Sequence, residues 1–366
     1  MEDEIEIRTR AGYKPVESLK AFLQALNEGG TIATGRALHF SADLVLSGGY
    51  DVWIRTIWEF AIEHIGLASP RLFVYLKKRV GELDALVSRL SEDDLWKNDE
   101  FQTRVSEIVF VIREQPRKTR IQWPKVGPET HRDGWLRSVS TQATESEVLK
   151  RVYKPSADLL PMYTVGCELL KSCNEGGTEK ALFWIKWLID EDHHLKKENS
   201  GAGLSTLDRG PPNLKGKSKT DVSYYILVLF AEAYKELMVR KLIRMNEEFQ
   251  VLLDLYRGGE PRLGAKSRRD ILGLMAQILC EVPKWKVPAA PTLIKDPVTL
   301  SRAITQSANF FREVLAEPKV ATAAVSKQSF HLRKESAKAR EKAKKATTME
   351  DQMEAYEAAM NIYLNK

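Results

Sequence analysis

The stretch "GRALHFSADLVLSGGYDVWIRTIWEFAIEHIGL", Gly35 to Leu67, decides the fold class. Leu38, Ala42 and Val45 recur at spacings of four and three, and beyond Gly48 and Gly49 a second series runs Trp53, Ile57, Phe60, Ala61, Ile65. This is the period of a helix with one apolar face, not the alternation of a strand. The glycine pair predicts a break between two helices, since glycine enters the left-handed region without a Cβ penalty. Asp51 stands where an N-cap would, its carboxylate within reach of an unpaired amide of the next turn. Pro70 in "GLASPRL" ends the second helix by biasing Ser69 away from helical backbone.

Outward from this pair the helical period continues at about 71–90, 100–113, 145–153, 156–173, 179–192, 221–257, 267–281 and 298–316. No sustained strand alternation interrupts it, so the expectation is an all-α protein of two helical lobes. The letters NEGG occur twice, at Asn27–Gly30 and Asn174–Gly177, each ending a helical segment and leading into an aromatic one. They read as helix C-termini, and their recurrence suggests two lobes related by a diverged duplication. The expected organisation is a first lobe at 1–113, a basic connector at 114–154 and a second lobe at 155–316. Within the second lobe, "KKENSGAGLSTLDRGPPNLKGKSK" makes 196–220 a flexible surface insertion. A charged helical extension, 317–366, completes the chain.

With 366 residues, 43% of them hydrophobic, and eight tryptophans, the chain can build substantial cores. Its net charge of +6 favours an acidic partner without bearing on fold. Cys167, Cys173 and Cys280 form no CxxC pair and are an odd number, which suits buried thiols in a reducing compartment. The acidic start "MEDEIEIRTR" lacks a signal-peptide core, and the longest apolar run, "YYILVLFA" at 224–231, falls short of the ~20 residues a bilayer requires. The expectation is a soluble intracellular protein, cytoplasmic or nuclear, with no membrane partner.

Motifs that would carry chemistry dissolve on inspection. "GPPNLKGKS", Gly210 to Ser218, has one residue too many for a phosphate-binding loop, and two prolines where amide donors are needed. "DEDHH", Asp190 to His194, crowds potential metal ligands, but adjacent helical residues point about 100° apart. His39, His64, His131 and His331 have no partner at metal-binding spacing. No nucleophile motif is present, so no catalytic residue, cofactor site or metal site is assigned and the expectation is a protein that is not an enzyme.

Two basic tracts are more informative. "VIREQPRKTRIQWPK" brings Arg113, Arg117, Lys118, Arg120 and Lys125 close in sequence to Trp123, the residue types that hold phosphates and stack a base. "RKESAKAREKAKK" offers Arg333, Lys334, Lys338, Arg340 and Lys344, which as a helix would lay one cationic face along a phosphate backbone. Beyond it, Met349, Met353, Tyr356, Met360 and Tyr363 recur at helical steps. That stripe must pack on the body or on another chain, and Met353, Tyr356, Met360 and Tyr363 are the candidate oligomer interface.

The segment "RALHFSADLVLSGGYDVWIRTIWEFAIEHIGLASPRL", Arg36 to Leu72, resembles the helical region that follows the ATPase module in clamp-loader-like AAA+ proteins of the MgsA/RarA and WRN-interacting-protein type. That family carries a signature close to "ASEDIGLADP". Here "AIEHIGLASP" matches at Glu63, Ile65, Gly66, Leu67, Ala68 and Pro70, with His64 replacing an acidic residue and Ser69 an aspartate. "KALFWIKWLIDED" after the second NEGG looks like the same first helix again, without the signature. In the family this region packs subunits together and the upstream module hydrolyses ATP. Because Arg36 stands near the start of the sequence, the expectation is a chain without that module. What the resemblance implies is an assembly element, a homo-oligomeric scaffold linked to DNA replication or repair, with Glu63 as a polar anchor and Gly66 as a close-packing turn. The rival is a nucleic-acid-coating or virion structural protein that holds DNA or RNA through its basic tracts, independent of sequence.

Overall fold

The fold begins with a pair of helices whose bounds follow from their caps. α1 (Pro15–Asn27) starts on a proline, which fits the first helical turn because its missing amide would be unpaired there anyway. It buries Leu19, Phe22 and Leu26, one stripe at steps of three and four. α2 (Thr31–Leu46) runs back along it with Ala37, Ala42 and Val45 fully buried. Between them Asp43 is also fully buried, and accepts from the Ser18 hydroxyl at 2.8 Å and the Ala11 amide at 3.0 Å. The structure is a computed structural model that describes residues 8–132, 134–140, 146–211, 220–240, 247–258, 263–281, 293–294 and 296–316.

α2 ends as the glycine pair predicts. Gly48 has φ 80°, its amide bonds the Val45 carbonyl, and the Gly49 amide bonds the Leu44 carbonyl at 2.8 Å, a Schellman closure. α3 (Tyr50–Phe60) then starts two residues earlier than expected. Its N-cap is Gly49, so Asp51 lies in the first turn, where its charge opposes the helix dipole rather than capping an amide. α4 (Arg71–Arg89), α5 (Glu92–Lys97) and α6 (Asp99–Glu114) follow, the last two capped by Ser91 and Asn98. Buried Glu107 on α6 accepts from Arg104 of the same helix and from Arg79 and Tyr75 of α4, so its charge is paired on several sides.

A second unit contains α7 (Trp135–Val139), α8 (Glu147–Val152), α9 (Leu160–Asn174), α10 (Thr178–Glu198), α11 (Val222–Val239), α12 (Glu247–Arg257) and α13 (Ala265–Glu281) from Ser267 onward, the first two residues of α13 belonging to the first unit. α9 and α10 form its antiparallel hairpin, and α11 packs on α8 and α10. Tyr225 is fully buried on α11 and donates to the Met162 carbonyl of α9 at 2.8 Å. The expected helix at 221–257 is present as α11 and α12, with 241–246 outside the described residues.

α14 (Pro297–Thr305) and α15 (Ser307–Ala316) correct the expected lobe boundary. Their order along the sequence places both in the expected second lobe at 155–316. They belong instead to the first unit: α14 packs on α6 through Leu300 and Ala303 around Phe110, and α15 lies on α2 and α6. Order along the chain cannot reveal this return, because an amphipathic helix does not encode which core it joins.

The insertion at 196–220 also departs from expectation. Its first part belongs to α10, and residues 199–211 are held by specific bonds rather than free. Buried Asp192 pairs with Lys196 and accepts the Leu204 amide, while Leu204 itself is fully buried. Asp158 and Ser205 form an isolated antiparallel bridge, flanked by bonds from Leu159 to Leu204 and from Thr206 to Ala157. Arg209 locks the loop down through Asp158. It also donates to the Val152 carbonyl at 3.1 Å and lies 5.2 Å from the centre of the Tyr225 ring. The stretch looked too polar to order because its polar groups find one another. Apart from the one isolated bridge, the described residues build helices and turns, and the protein is all-α.

Candidate functional site

The segment that carries the family resemblance is a structural irregularity. Ala61–Ile65 form a π-helical turn that continues α3 and closes with the Gly66 amide on the Ala61 carbonyl. π-turns leave one residue out of register and recur at places under functional selection. Gly66 has φ 50° and ψ −135°, backbone that L side chains rarely adopt, and Gly66–Ala68 turn once more as a 3-10 helix. The chain reverses here into α4, and every conspicuous polar group is used to hold the reversal. Glu63 bonds Lys266 at 2.9 Å, and Glu59 one turn earlier accepts the Gly264 amide at 3.0 Å. Fully buried Ser69 donates to Gln115 at 2.7 Å, and Gln115 donates to the carbonyls of Val111 and Leu293. The His64 carbonyl accepts the Lys118 amide at 2.8 Å, and the His64 ring stacks on Phe60.

The same joint takes two of the candidate phosphate-binding arginines. Arg117 donates to Leu26 O at 2.8 Å and Ile112 O at 3.0 Å, with its guanidinium 4.8 Å from the Phe60 ring centre. Arg113 donates to Gly30 O at 3.1 Å and to the Thr34 hydroxyl at 3.2 Å. Partial burial, and then the neighbouring Arg113 charge, lower the Arg117 guanidinium to about 10. Burial lowers Arg113 too, against the opposing pull of Glu114 and Glu28. Both stay charged at neutral pH. Together they bracket the first NEGG turn, in which Gly30 takes φ 86° and ψ 167°, a region open in practice only to glycine. Arg36 adds a surface ion pair to Glu28 across the turn.

The basic tract therefore does not act as one surface. The division between the two units falls after Lys118, so Arg113, Arg117 and Lys118 belong to one unit and Arg120, Trp123 and Lys125 to the other. Arg120 and Lys125 are exposed. Trp123 is a packing anchor rather than a free stacking platform. Its indole donates to Asp270 at 2.7 Å, the Arg269 guanidinium lies 5.0 Å from its ring centre, and a Cβ on Gly273 would meet the ring at 3.1 Å. Arg333, Lys334, Lys338, Arg340 and Lys344, and the stripe Met353, Tyr356, Met360 and Tyr363, lie outside the described residues.

"DEDHH" disperses as helical geometry requires. Asp190 pairs with Lys186, Glu191 with His131, Asp192 with Lys196 and His194 with Glu198. His131 stacks on Trp187, whose indole donates to the Thr130 carbonyl at 3.2 Å. No group of three or more His, Cys, Asp or Glu among the described residues is arranged to hold a metal ion. Residues 212–218 of the phosphate-loop look-alike lie outside the described set. No described helix is long and apolar enough to cross a membrane.

Sequence reasoning missed Gln115, Ser69, Asp158 and Arg209. Gln115 is the C-cap residue of α6 and Ser69 sits in a turn, where periodicity is silent. No protein-family model, curated protein or solved structure matches the chain.

Proposed function

We propose that the protein is a non-enzymatic helical scaffold that self-associates, with the clamp-loader-like segment serving as an assembly joint in DNA replication or repair. One observation carries this reading. In the segment that carries the resemblance, the Glu63 carboxylate, the His64 carbonyl and the Ser69 hydroxyl, the last two at positions that depart from the family's signature, hold the reversal between α3 and α4 through Lys266, Lys118 and Gln115. A segment built this way serves shape rather than turnover, as the resemblance to a collar implies. Light scattering of the full chain across the micromolar range tests it. Mass that rises with concentration toward a defined multiple of 41.6 kDa is expected, and a strict monomer throughout overturns it.

A second reading, nucleic-acid coating, is favoured by the charge at the joint. Arg117 is bonded to carbonyls, which leave its positive charge in place beside Arg113. Exposed Arg120 and Lys125 add cations to the other unit. Filter binding with single- and double-stranded DNA and RNA at low and raised salt tests this reading. Binding that falls steeply with salt and ignores sequence is expected, and no binding at low salt removes it.

A further inference from the structure

Two of the three cysteines meet. Cys173 lies in the last turn of α9 and Cys280 in the last turn of α13, both buried, with their thiols hydrogen-bonded to each other and not joined. Cys280 Sγ also lies 3.9 Å from the Ser172 carbonyl, and the Cys280 carbonyl stands where a Cβ on Gly176 would approach to 3.4 Å. The end of α13 is thus packed into the second NEGG turn. Cys280 accepts from Cys173 and from Thr178, the first residue of α10, so its sulfur sits at a helix N-terminus with hydroxyl and thiol donors. The Cys173 donor chiefly, with Thr178, holds the Cys280 thiol below its usual range against burial and Glu281, whereas its role as donor, and then burial, push the Cys173 thiol up.

We propose that Cys173 and Cys280 are a peroxide-responsive dithiol that closes to an intramolecular disulfide, tying the C-terminal end of α9 to that of α13. The Cys280 thiolate attacks one oxygen of hydrogen peroxide. An S–O bond forms, the O–O bond breaks, and hydroxide leaves to take up the thiol proton as water. The Cys173 sulfur then displaces the sulfenic oxygen, forming the S–S bond and releasing a second water. Two thiols are oxidised by two electrons and one peroxide is reduced to two waters. A small oxidant suits sulfurs this buried, and a thiol reductant restores the pair. Cys167 also lies on α9, but its recorded contacts are with Tyr163 and Glu168, and burial raises its thiol. It takes no part.

The test treats the reduced full chain with hydrogen peroxide, alkylates what remains, and maps peptides by mass. The expected product is a monomer lighter by two hydrogens, with Cys173 linked to Cys280, Cys167 alkylated, full reversal by dithiothreitol, and a raised thermal midpoint. Cys167→Ser should leave all of this unchanged. In Cys173→Ser a dimedone adduct should appear on Cys280, while Cys280→Ser should give none on Cys173. Three free thiols after oxidation, a bond involving Cys167, a disulfide between chains, or the adduct on Cys173 would each overturn the proposal. The wild-type peptide map decides the matter even if a serine variant fails to fold, and no outcome depends on the scaffold reading.

Discussion

At residues 174–177 the letters NEGG end α9 with the helix's own backbone, and at 27–30 the same letters end α1 with help from two distant arginines. In the second copy Gly176 takes φ 73°, its amide bonds the Cys173 carbonyl, and the Gly177 amide bonds the Ser172 carbonyl at 2.8 Å, the Schellman pattern also made by Gly48 and Gly49. In the first copy Glu28 is extended, no such pair forms, and left-handed backbone appears only at Gly30, the N-cap of α2. The carbonyls of Leu26 and Gly30 go to Arg117 and Arg113. Four identical residues thus permit two closures. The choice between them lies about ninety residues further along the chain, since Arg117 is 91 positions from Leu26.

A parallel exists in the second unit, where Arg209 donates to Val152 O, the last carbonyl of α8. The Arg209 side chain is buried and paired with Asp158, whereas the partly buried Arg117 guanidinium donates, among the described residues, to carbonyls and packs on Phe60. Removing support from each cap should therefore have graded effects. Asp158→Ala should be the most damaging, about 3–5 kcal/mol by urea denaturation, because it strands a buried guanidinium. Burial alone would raise the Asp158 carboxyl, but Arg209, Ser205 and the Lys154 amide outweigh it and hold it below its usual value. The sign follows: this contribution is complete above about pH 4 and is lost as the pH falls through the lowered folded value. Acid titration of the second unit's tryptophan fluorescence should thus start later in the wild type than in Asp158→Asn.

Arg117→Ala should come next, at about 2–3 kcal/mol, since two charge-assisted bonds and the Phe60 contact go together. Gly176→Ala should cost about 1–2 kcal/mol through its left-handed backbone, with Cys280 O at 3.4 Å leaving no slack. Gly29→Ala, which meets open space at ordinary φ, should fall within about 0.5 kcal/mol in the same urea denaturation series. If Gly29→Ala instead matched Gly176→Ala, the two turns would be closed alike and the contrast would fail.

These positions also show what could be read from the chain beforehand. The helices, the Gly48–Gly49 break and the dispersal of "DEDHH" follow from local rules, because period, left-handed glycine and helical geometry act within a few residues. The joint around Gly66 was visible as a signature, but not as a π-turn, since an extra residue per turn leaves no periodic trace. Arg113 and Arg117 were legible as cations and not as caps, and Trp123 as an aromatic and not as an anchor on Asp270. In each case the deciding partner is remote in sequence. The return of α14 and α15 to the first unit and the Asp158–Arg209 clasp share that reason.

Hydrogen exchange of the wild type and Arg117→Ala under native conditions tests the central contrast most directly. The account predicts faster exchange in the variant at the end of α1, read at the Glu28 amide bonded to Gln24 O, with the Gly177 amide on Ser172 O unchanged. Equal protection at Glu28 in both proteins would contradict it, because α1 would then need no arginine to stay closed.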